Sequence, residues 1–514
     1  MVQAVRRSPI MVLAAALVLV GVACSSTPVA SPTAPAGSAT PGPTAVVTPA
    51  PTGVVTPAPT ATPVPTAIVT PEPLPTGVPG PNGGTVVRWF IGLGAGTQPA
   101  QIGPEQAFIA AYNASQSDVY LQYEIVDNTQ AASILKTEIA AGNAPDIIGP
   151  VGVEGLNLFA DQLLDLAPII ASTGYTSTGV DPALVDFFNS LGQNGATVGL
   201  PFAVYPSFIF YNKALFDEAN LAYPPTVVGD LYEGAPWDMD ALRTLAMKLT
   251  VDAAGNDATS PDFDPDNIVQ WGFEAQYMDN YNARAETAFF GTGPLLADDG
   301  TTAVIPDAMA AGAKWYNAGV WTDHFIPTAN QVASDLLLAG SEFASGNVAI
   351  DEGHTWFTCC VNPPEGTPPF DFGFAVNPTF NGTITSPLHA DTFSILKTSV
   401  VADKAFAALT AMVASPELLT AYGAMPADET KQQAWFDSID ANFPGMDLDW
   451  SVAQAMLAYP DIPNHQSWVP DYAAVRSAMQ AFGNNYRTTS GLDMDAALAA
   501  LQVTLQGIFD AATQ

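Results

Sequence analysis

The sequence predicts an α/β fold for a large folded body, and three observations support this prediction. Short runs rich in β-branched and aromatic residues alternate with segments of helical periodicity, which is typical of α/β architectures with mainly parallel sheets. The body, residues 85–514, contains 430 of the 514 residues, enough for two large lobes with proper cores. It has no internal repeat, which argues against a repetitive, β-rich fold.

The first elements of the body alternate between strand and helix. Strands are predicted over residues 86–91, 119–126 and 146–148, where β-branched and aromatic residues are frequent. Helices are predicted over about 104–113 and 129–141, where apolar residues recur at helical spacing. A glycine-rich loop follows the first strand.

Later segments are mostly helical. Residues 237–250 carry apolar residues at three- and four-residue spacings. Ser415-Pro416-Glu417 predicts a helix start, because it combines a hydroxyl cap, a proline in the first turn and an acid near the positive end of the helix dipole. From there to residue 514 we expect mainly helices.

The first 23 residues have the layout of a secretory signal peptide. Arg6 and Arg7 precede an uncharged apolar run over residues 10–20, too short for the roughly 20 residues of a membrane-spanning helix. The sequence Gly-Val-Ala-Cys at 21–24 resembles the lipobox of bacterial lipoproteins, although Gly21 replaces the usual Leu. The resemblance implies lipidation of Cys24, and several acyl chains there would give stable anchoring. The alternative is an ordinary cleavage site with a coincidental cysteine.

Residues 24–84 are predicted to form a tether. Residues 25–84 contain 16 of the 45 prolines and 12 threonines, with Glu72 as the only charge, so they cannot bury a core. Proline-rich chains favour polyproline II at ~3.1 Å per residue, so the tether can span on the order of 100 Å or more. A spacer across a cell wall, with threonines available for O-glycosylation, fits this composition.

Charge and cysteine content exclude several classes of partner and scaffold. The net charge of −36 disfavours nucleic acid and anionic membrane surfaces, because both are polyanionic. The body has only the adjacent Cys359 and Cys360, so no disulfide framework is expected. Their Cα atoms must lie ~3.8 Å apart, below the usual disulfide range. The alternatives are therefore two inert thiols or a strained vicinal bridge, and a redox switch is a third, less favoured alternative.

Several segments of the body, covering nearly all of it, resemble the family 1 extracellular solute-binding proteins, which include maltose-binding protein. The resemblance rests on their order and spacing, since none is specific alone. One resembles the family's turn into a ligand-side loop, and the others resemble three segments that cross between lobes. In chain order they are 139–148 (IAAGNAPDII), 199–206 (GLPFAVYP) with 209–216 (IFYNKALF), 343–350 (FASGNVAI) with Gly353 and Trp356, and 373–378 (GFAVNP) with 389–395 (HADTFSI).

The resemblance implies a two-lobed periplasmic-binding-protein-like α/β fold, with a ligand cleft between lobes joined by crossing segments and closed by hinge motion. It implies a monomer that binds a small polar solute, such as a mono- or oligosaccharide, and delivers it to the membrane subunits of an ABC importer. No catalysis and no cofactor are implied. The first lobe is then expected to comprise residues 85–205 and 343–388, and the second lobe residues 206–342 and 389–514.

Enzymes and adhesins are the competing classes. The chain lacks a Gly-x-Ser-x-Gly elbow, a His-Glu-x-x-His helix and a phosphate-loop Gly-Lys, although paired acids of a secreted carbohydrate-active hydrolase cannot be recognised from sequence. A surface adhesin would explain the tether equally well, but adhesins are more often β-rich and repetitive. The four histidines lack metal-ligand spacing, and the acidic segment 252–266 departs from the EF-hand pattern, so we expect no metal and a solvated loop.

A sugar site needs planar polar side chains for hydroxyl groups and aromatic rings for apolar C–H faces. The segments that resemble the family's cleft supply both, with Trp356 at the position of a stacking tryptophan, and Trp468 is a weaker candidate. The glycine-rich loop could instead be a plain tight turn. The predicted ligand-binding residues are Gly92, Leu93, Gly94, Tyr205, Glu274, Tyr277, Asn282, Glu352, His354, Trp356, His389 and Asp391.

Overall fold

The strands of the protein are short and spread over most of its length. The computed structural model describes residues 74–276, 281–337, 341–361 and 370–512. The strands are β1 (Thr85–Ile91), β2 (Val119–Ile125), β3 (Ile147–Gly152), β4 (Ala203–Asn212), β5 (Leu231–Tyr232), β6 (Ala235–Pro236), β7 (Val251–Asp252), β8 (Ile268–Gln270), β9 (Glu274–Ala275), β10 (Ile350–His354), β11 (Phe372–Ala375), β12 (Leu388–Ile395) and β13 (Met425–Pro426).

Helices separate the strands and dominate the C-terminal part. They are α1 (Pro99–Ser115), α2 (Asn128–Ala141), α3 (Val153–Asn157), α4 (Ala167–Thr173), α5 (Pro182–Ser190), α6 (Lys213–Ala219), α7 (Met239–Leu249), α8 (Ala283–Glu286), α9 (Asp307–Trp321), α10 (Ala329–Val332), α11 (Ala402–Ala414), α12 (Pro416–Tyr422), α13 (Glu429–Asp440), α14 (Ser451–Met456), α15 (Tyr472–Thr488) and α16 (Met494–Ala512). Within the described ranges no single helix is long and apolar enough to cross a bilayer, although α11 and α12, bent by 66°, meet the criteria as a pair.

Most local predictions are confirmed, and one helix begins earlier than expected. The Ser415 hydroxyl accepts a hydrogen bond from the Leu418 amide and caps α12 as predicted. Helix α1 begins at Pro99 instead of near residue 104. The reason is that the Gln101 side chain accepts hydrogen bonds from the amides of Gly96 and Gln98, which fixes the first turn before Pro104.

Nine strands form one mixed sheet. The strand order is β2-β1-β3-β12-β4-β10-β9, and β11 and β13 also pair with β4. Strand β1 is parallel to β2 and β3, and β9 is parallel to β10. Strands β12 and β4 are antiparallel to each other. Strand β12 is also antiparallel to β3, and β4 is also antiparallel to β10. The prediction of mainly parallel sheets is therefore wrong at the centre of the sheet, because the crossing strands run against their neighbours.

Strand pairing also groups two segments differently from the prediction. Strand β10, predicted with the first lobe, pairs with residues 207–211 of β4 and with β9. Strand β12, predicted with the second lobe, pairs with β4 through residues 388–391 and with β3 through residues 391–395. Phe393 on β12 shares a buried cluster with Trp89 on β1 and Phe406 on α11. Pairing between strands distant in the chain is not encoded in local patterns, and the boundaries of the two lobes stay a prediction.

The folded body begins before the predicted boundary at residue 84. The Gly77 amide donates to the Val86 carbonyl at 3.0 Å, and the Val86 amide donates to the Val78 carbonyl at 2.8 Å. Asn82 Nδ2 donates to the carbonyl of the first residue of β2 at 3.0 Å. Residues 74–84 thus belong to the body, since prolines and glycines can line a sheet edge without forming a regular strand. The predicted signal peptide 1–23, Cys24 and the tether up to residue 73 lie outside the described residues.

Strand β4 passes from one part of the sheet to the other at Ser207. Residues 203–206 of β4 pair with β12, whereas residues 207–212 pair with β10 and β11. The Ser207 amide donates to the Pro387 carbonyl at 3.1 Å and to Ser386 Oγ at 3.0 Å. We call Ser207 with Ser386–Pro387 the crossing point; its buried backbone groups are satisfied by hydrogen bonds between the two crossing segments.

Candidate ligand-binding site

The crossing strands bring four of the predicted site residues together. His389 on β12 lies opposite Tyr205 on β4, and His354 at the end of β10 lies opposite Ser207. A short 3-10 helix follows β10 and places Trp356 against these residues. The site therefore lies beside the crossing point, because the strands that carry its side chains are the strands that meet there.

Tyr205, His354, Trp356 and His389 form a half-buried ring cluster. The Trp356 indole stacks on the His354 imidazole with ring centroids 4.4 Å apart and an interplanar angle of 10°. Its centroid lies 4.7 Å from that of His389 and 5.2 Å from that of Tyr205. Trp356 Nε1 donates to Gln276 Oε1 at 3.0 Å, which fixes the indole orientation. Such a cluster can offer an aromatic face and ring nitrogens to one ligand.

His465 extends this cluster, and sequence reasoning did not select it. Its ring centroid lies 4.7 Å from that of His389, and its Nε2 lies 3.3 Å from His389 Nε2. His465 Nδ1 bonds to the fully buried Asp461 at 2.7 Å. Three histidines from three distant segments therefore meet here. The only sequence signal was the position of His465 three residues before the weak candidate Trp468.

The imidazoles of the cluster are held neutral. Burial, followed by the neighbouring His465, lowers the pKa of His354 to about 3. Burial, with His465 and His354 as further causes, lowers the pKa of His389 well below its ordinary value. Each ring therefore has one donor and one acceptor nitrogen at neutral pH.

Two predicted carboxyl groups flank the cluster. Glu352 on β10 is 4% exposed, and burial is the main cause that raises its pKa to about 7, opposed by a hydrogen bond with Ser207. Burial raises the pKa of Asp391 on β12 to about 6. Asp391 is also the second cause, after burial, that raises the pKa of Tyr205. Both carboxyl groups are therefore able to exist protonated near neutral pH, as donors as well as acceptors.

Glu274 and Asn282 have interior or local partners. Glu274 is fully buried, its Oε1 accepts the Phe343 amide at 2.8 Å, and burial with the nearby Glu342 and Asp351 raises its pKa well above the usual range. The Asn282 side chain caps α8 by accepting the Arg284 amide at 3.2 Å. These contacts give both residues structural roles. Tyr277 lies outside the described residues.

The loop 92–94 is packed tightly at its two glycines. Gly92 has φ of +145°, and a Cβ there would lie 2.3 Å from the Val126 carbonyl oxygen. A Cβ on Gly94 would lie 2.6 Å from the Pro150 carbonyl oxygen. Asn128 Nδ2 donates to the carbonyls of Gly92 and Gly94 at 3.0 and 3.3 Å. The glycines are required by close backbone approach, and Leu93 between them stays a predicted ligand contact.

The acidic loop 252–266 is organised around one carboxylate. Asp252 accepts hydrogen bonds from the amides of Ala254, Asn256 and Asp264 at 2.9 Å and from Asn256 Nδ2 at 3.0 Å. These bonds, foremost that of the Asn256 side chain, lower the pKa of Asp252 to about 2. Hydrogen bonds within the chain therefore satisfy the carboxylate. Among the described residues, no group of three or more His, Cys, Asp or Glu is arranged to hold a metal ion.

The segment after Trp356 contains the two adjacent cysteines. Cys360 is disulfide-bonded, which excludes the alternative of two free thiols. The side chain of Cys359 lies outside the described residues. The bond lies four residues from the indole of the ring cluster.

Two cavities adjoin the site on the side of His465. One, of about 20 Å³, is lined by Arg284 and His465 among others. The other is an open groove of about 660 Å³ lined by Phe290, Phe380 and Tyr459 among others. Both are bordered by residues 291–292, so they lie side by side.

The fold and the site define a two-lobed solute-binding protein. Residues 107–430, more than half of the chain, match the family model described as bacterial extracellular solute-binding protein, and the chain belongs to this family. Proteins of this family are binding proteins of the periplasm or cell surface. No curated protein sequence matches the chain significantly.

Solved structures of other proteins share the fold, and most of them are described as sugar-binding or as bound to a sugar. At 16–21% identity these similarities establish the architecture alone. Three of them are UspC of M. tuberculosis (TM-score 0.63, 21% identity, 82% of this chain and 100% of that chain), the cyclic alpha-maltosyl-1,6-maltose binding protein of Arthrobacter globiformis (0.59, 20%, 84% and 100%) and the sugar-binding protein MalE of Xanthomonas citri (0.61, 18%, 83% and 98%).

Proposed function

We propose that the protein captures a mono- or oligosaccharide and delivers it to an ABC importer. The observation that carries this proposal is the ring cluster of Tyr205, His354, Trp356 and His389 beside the crossing point. An indole face binds the apolar C–H face of a pyranose, and the surrounding nitrogen and oxygen atoms bind its hydroxyl groups. The structural neighbours support this ligand class, since one is described as binding a cyclic maltosyl-maltose and another as bound with α-D-tagatose.

The charges at the site favour a neutral ligand over an anion. The imidazoles of His354 and His389 are neutral, and the carboxyls Glu352 and Asp391 lie on the same strands, two residues away from them. An anionic ligand would meet like charge whenever these carboxyls ionise. A sugar instead uses the same groups as hydrogen-bond partners.

Binding closes the two lobes by a hinge at the crossing point. Strand pairing supports a division in which β1, β2, β3 and β12 belong to one lobe and β9, β10 and β11 to the other. His354 ends β10 and Trp356 follows that strand, whereas Tyr205 and His389 lie on the paired ends of β4 and β12. A ligand that contacts both sets stabilises the closed arrangement, because only that arrangement offers both at once.

The proposal also includes the membrane anchor and the oligomeric state of the protein. Cys24 anchors the mature chain to the outer face of the cytoplasmic membrane through lipid alone, and the proline-rich tether separates the body from that membrane. The protein acts as a monomer without a cofactor and catalyses no reaction. The comparisons offer no support for a carbohydrate hydrolase or an adhesin.

A sugar panel tests this function. The purified protein is heated and titrated calorimetrically with maltose, maltotriose, cyclic maltosyl-maltose and tagatose, with amino acids and a dipeptide as controls. A bound sugar raises Tm by mass action, and chromatography of the mixture shows the sugar intact. Release of shortened sugars would indicate a hydrolase, and stabilisation by amino acids or peptide with none by any sugar would refute the ligand class.

A further inference from the structure

Asp461 is a buried carboxylate that joins two segments of the site. It is fully buried, and its Oδ1 accepts the Leu388 amide at 2.8 Å and Asn464 Nδ2 at 2.9 Å. Its Oδ2 accepts both the amide and Nδ1 of His465 at 2.7 Å. A carboxylate with four donors has one stable orientation, so it also fixes the orientation of its partners.

This arrangement determines which nitrogen of His465 carries the proton. An ionised carboxylate accepts hydrogen bonds and donates none, so Nδ1 of His465 must be the protonated nitrogen. In a neutral imidazole the other nitrogen, Nε2, then has a lone pair. That Nε2 lies 3.3 Å from Nε2 of His389.

The contact between the two rings determines the tautomer of His389. Two lone pairs cannot face each other at this distance, so the proton between the rings belongs to His389 Nε2. We propose that Asp461 is a positioning residue that fixes His465 as the Nδ1–H tautomer and His389 as the Nε2–H tautomer, which leaves His389 Nδ1 as a hydrogen-bond acceptor for a ligand hydroxyl. His389 Nδ1 makes no hydrogen bond within the described part of the chain.

Arg284 provides a cationic partner for Asp461 besides His465. Arg284 lines the same small cavity as His465, and its positive charge interacts with Asp461. A neutral His465 therefore still leaves the buried carboxylate with a counter-charge.

The tautomer of His389 restricts which ligands can bind. This inference rests on the proposed function, since it assigns a partner to one atom of the sugar site. A lone pair on His389 accepts from a sugar hydroxyl and repels a carboxylate, phosphate or ether oxygen. The site therefore distinguishes ligands that carry a free hydroxyl at this position from those in which the hydroxyl is methylated or oxidised.

Nitrogen NMR on the ligand-free protein tests the tautomers directly. The chain has four histidines, so 15N-histidine labelling gives four ring systems, which His→Gln substitutions assign one at a time. We expect, at pH 7.5, a protonated Nδ1 with a lone-pair Nε2 for His465 and the reverse for His389. His324, on the turn after α9 and away from the site, serves as the internal reference. A doubly protonated His465, or a protonated Nδ1 on His389, would overturn the proposal.

The Asp461→Asn variant tests whether Asp461 determines the tautomers of His465 and His389. At the Oδ1 position its NH2 group would face two donors, the Leu388 amide and Asn464 Nδ2. At the Oδ2 position it faces one fixed donor, the His465 amide, and donates to His465 Nδ1 once that nitrogen loses its proton. His465 is then expected to become the Nε2–H tautomer and His389 the Nδ1–H tautomer. If the folded variant keeps the wild-type pattern, Asp461 does not position His389. Should Asp461→Asn fail to fold, His465→Leu, which removes the lone pair that faces His389, is used instead, and a His389 ring that keeps a pure Nε2–H state there would equally overturn the proposal.

A binding measurement separates this proposal from the sugar proposal. With the panel sugar that raises Tm most, Asp461→Asn is expected to weaken binding about tenfold, the usual effect of losing one well-made hydrogen bond. Unchanged affinity in a variant with inverted tautomers would refute the ligand role of His389 Nδ1. If no sugar binds but both tautomers are as expected, the assignment of the tautomers stands and the proposed sugar-binding function is wrong.

Discussion

The indole of Trp356 and the imidazole of His354 stack nearly in parallel, with centroids 4.4 Å apart. The same indole contacts the rings of Tyr205 and His389 at interplanar angles of 54° and 74° and donates its N–H to Gln276. Trp356 is only half-buried, so ring contacts and one hydrogen bond hold it in place, in addition to packing at the core's edge. A side chain fixed in this way loses little conformational entropy when a ligand binds.

Replacement of Trp356 tests its contribution to recognition. Trp356→Ala is expected to weaken sugar binding by about 2 kcal/mol, or roughly thirtyfold, because the stacking surface is lost. The melting temperature should change little, since the indole is not enclosed by the core. Calorimetric affinity and thermal unfolding are measured on the same variant.

Trp271 provides the matched control. It is 1% exposed within the larger apolar cluster, so Trp271→Ala should cost about 3–5 kcal/mol of stability by leaving a cavity. A Trp356→Ala variant that loses comparable stability while keeping its affinity for sugar would show that Trp356 is a packing residue.

Glu105 makes stability depend on pH. Burial raises its pKa to about 7, although the Tyr422 hydroxyl donates to its Oε1 at 2.9 Å and lowers it. The folded state then binds a proton that the unfolded state releases above its ordinary pKa. The stabilisation is fully present below that ordinary value and is lost as pH rises through about 7. Because of this proton, the wild type is expected to lose unfolding free energy between pH 5 and 8. We expect the Glu105→Gln variant to lose roughly 1–3 kcal/mol less than the wild type over this range.

Denaturant unfolding at a series of pH values measures this effect. Asp186→Asn, which neutralises an exposed carboxylate on α5, is the control and should leave the pH dependence as it is. If Glu105→Gln and Asp186→Asn give the same slope as the wild type, Glu105 does not hold the additional proton.

Apart from the early start of α1, local patterns predicted local structure well, and the larger failures are non-local. The alternation in residues 119–125 and the cap at Ser415 depend on neighbours within a few residues, so the sequence shows them directly. The placement of β12 beside β3, and of His465 beside His389, depends on pairing between segments far apart in the chain. The same limit hid Asp461, whose role depends on Leu388, 73 residues before it.

Lipid anchoring is tested by Cys24→Ala. Without the thiol the lipobox-like sequence cannot be lipidated, so the variant should appear in the medium or remain unprocessed instead of in the membrane fraction. Cell fractionation and mass spectrometry of the N-terminus measure this outcome. Membrane retention of a processed Cys24→Ala chain would contradict the lipoprotein assignment.

Sugar binding is proposed to close the cleft by a hinge at the crossing point around Ser207. Small-angle X-ray scattering compares the protein alone with the protein saturated by the panel sugar that raises Tm most. We expect a smaller radius of gyration with sugar, because contacts to both lobes favour the closed arrangement. An unchanged scattering curve, under conditions where calorimetry shows the site to be filled, would contradict it.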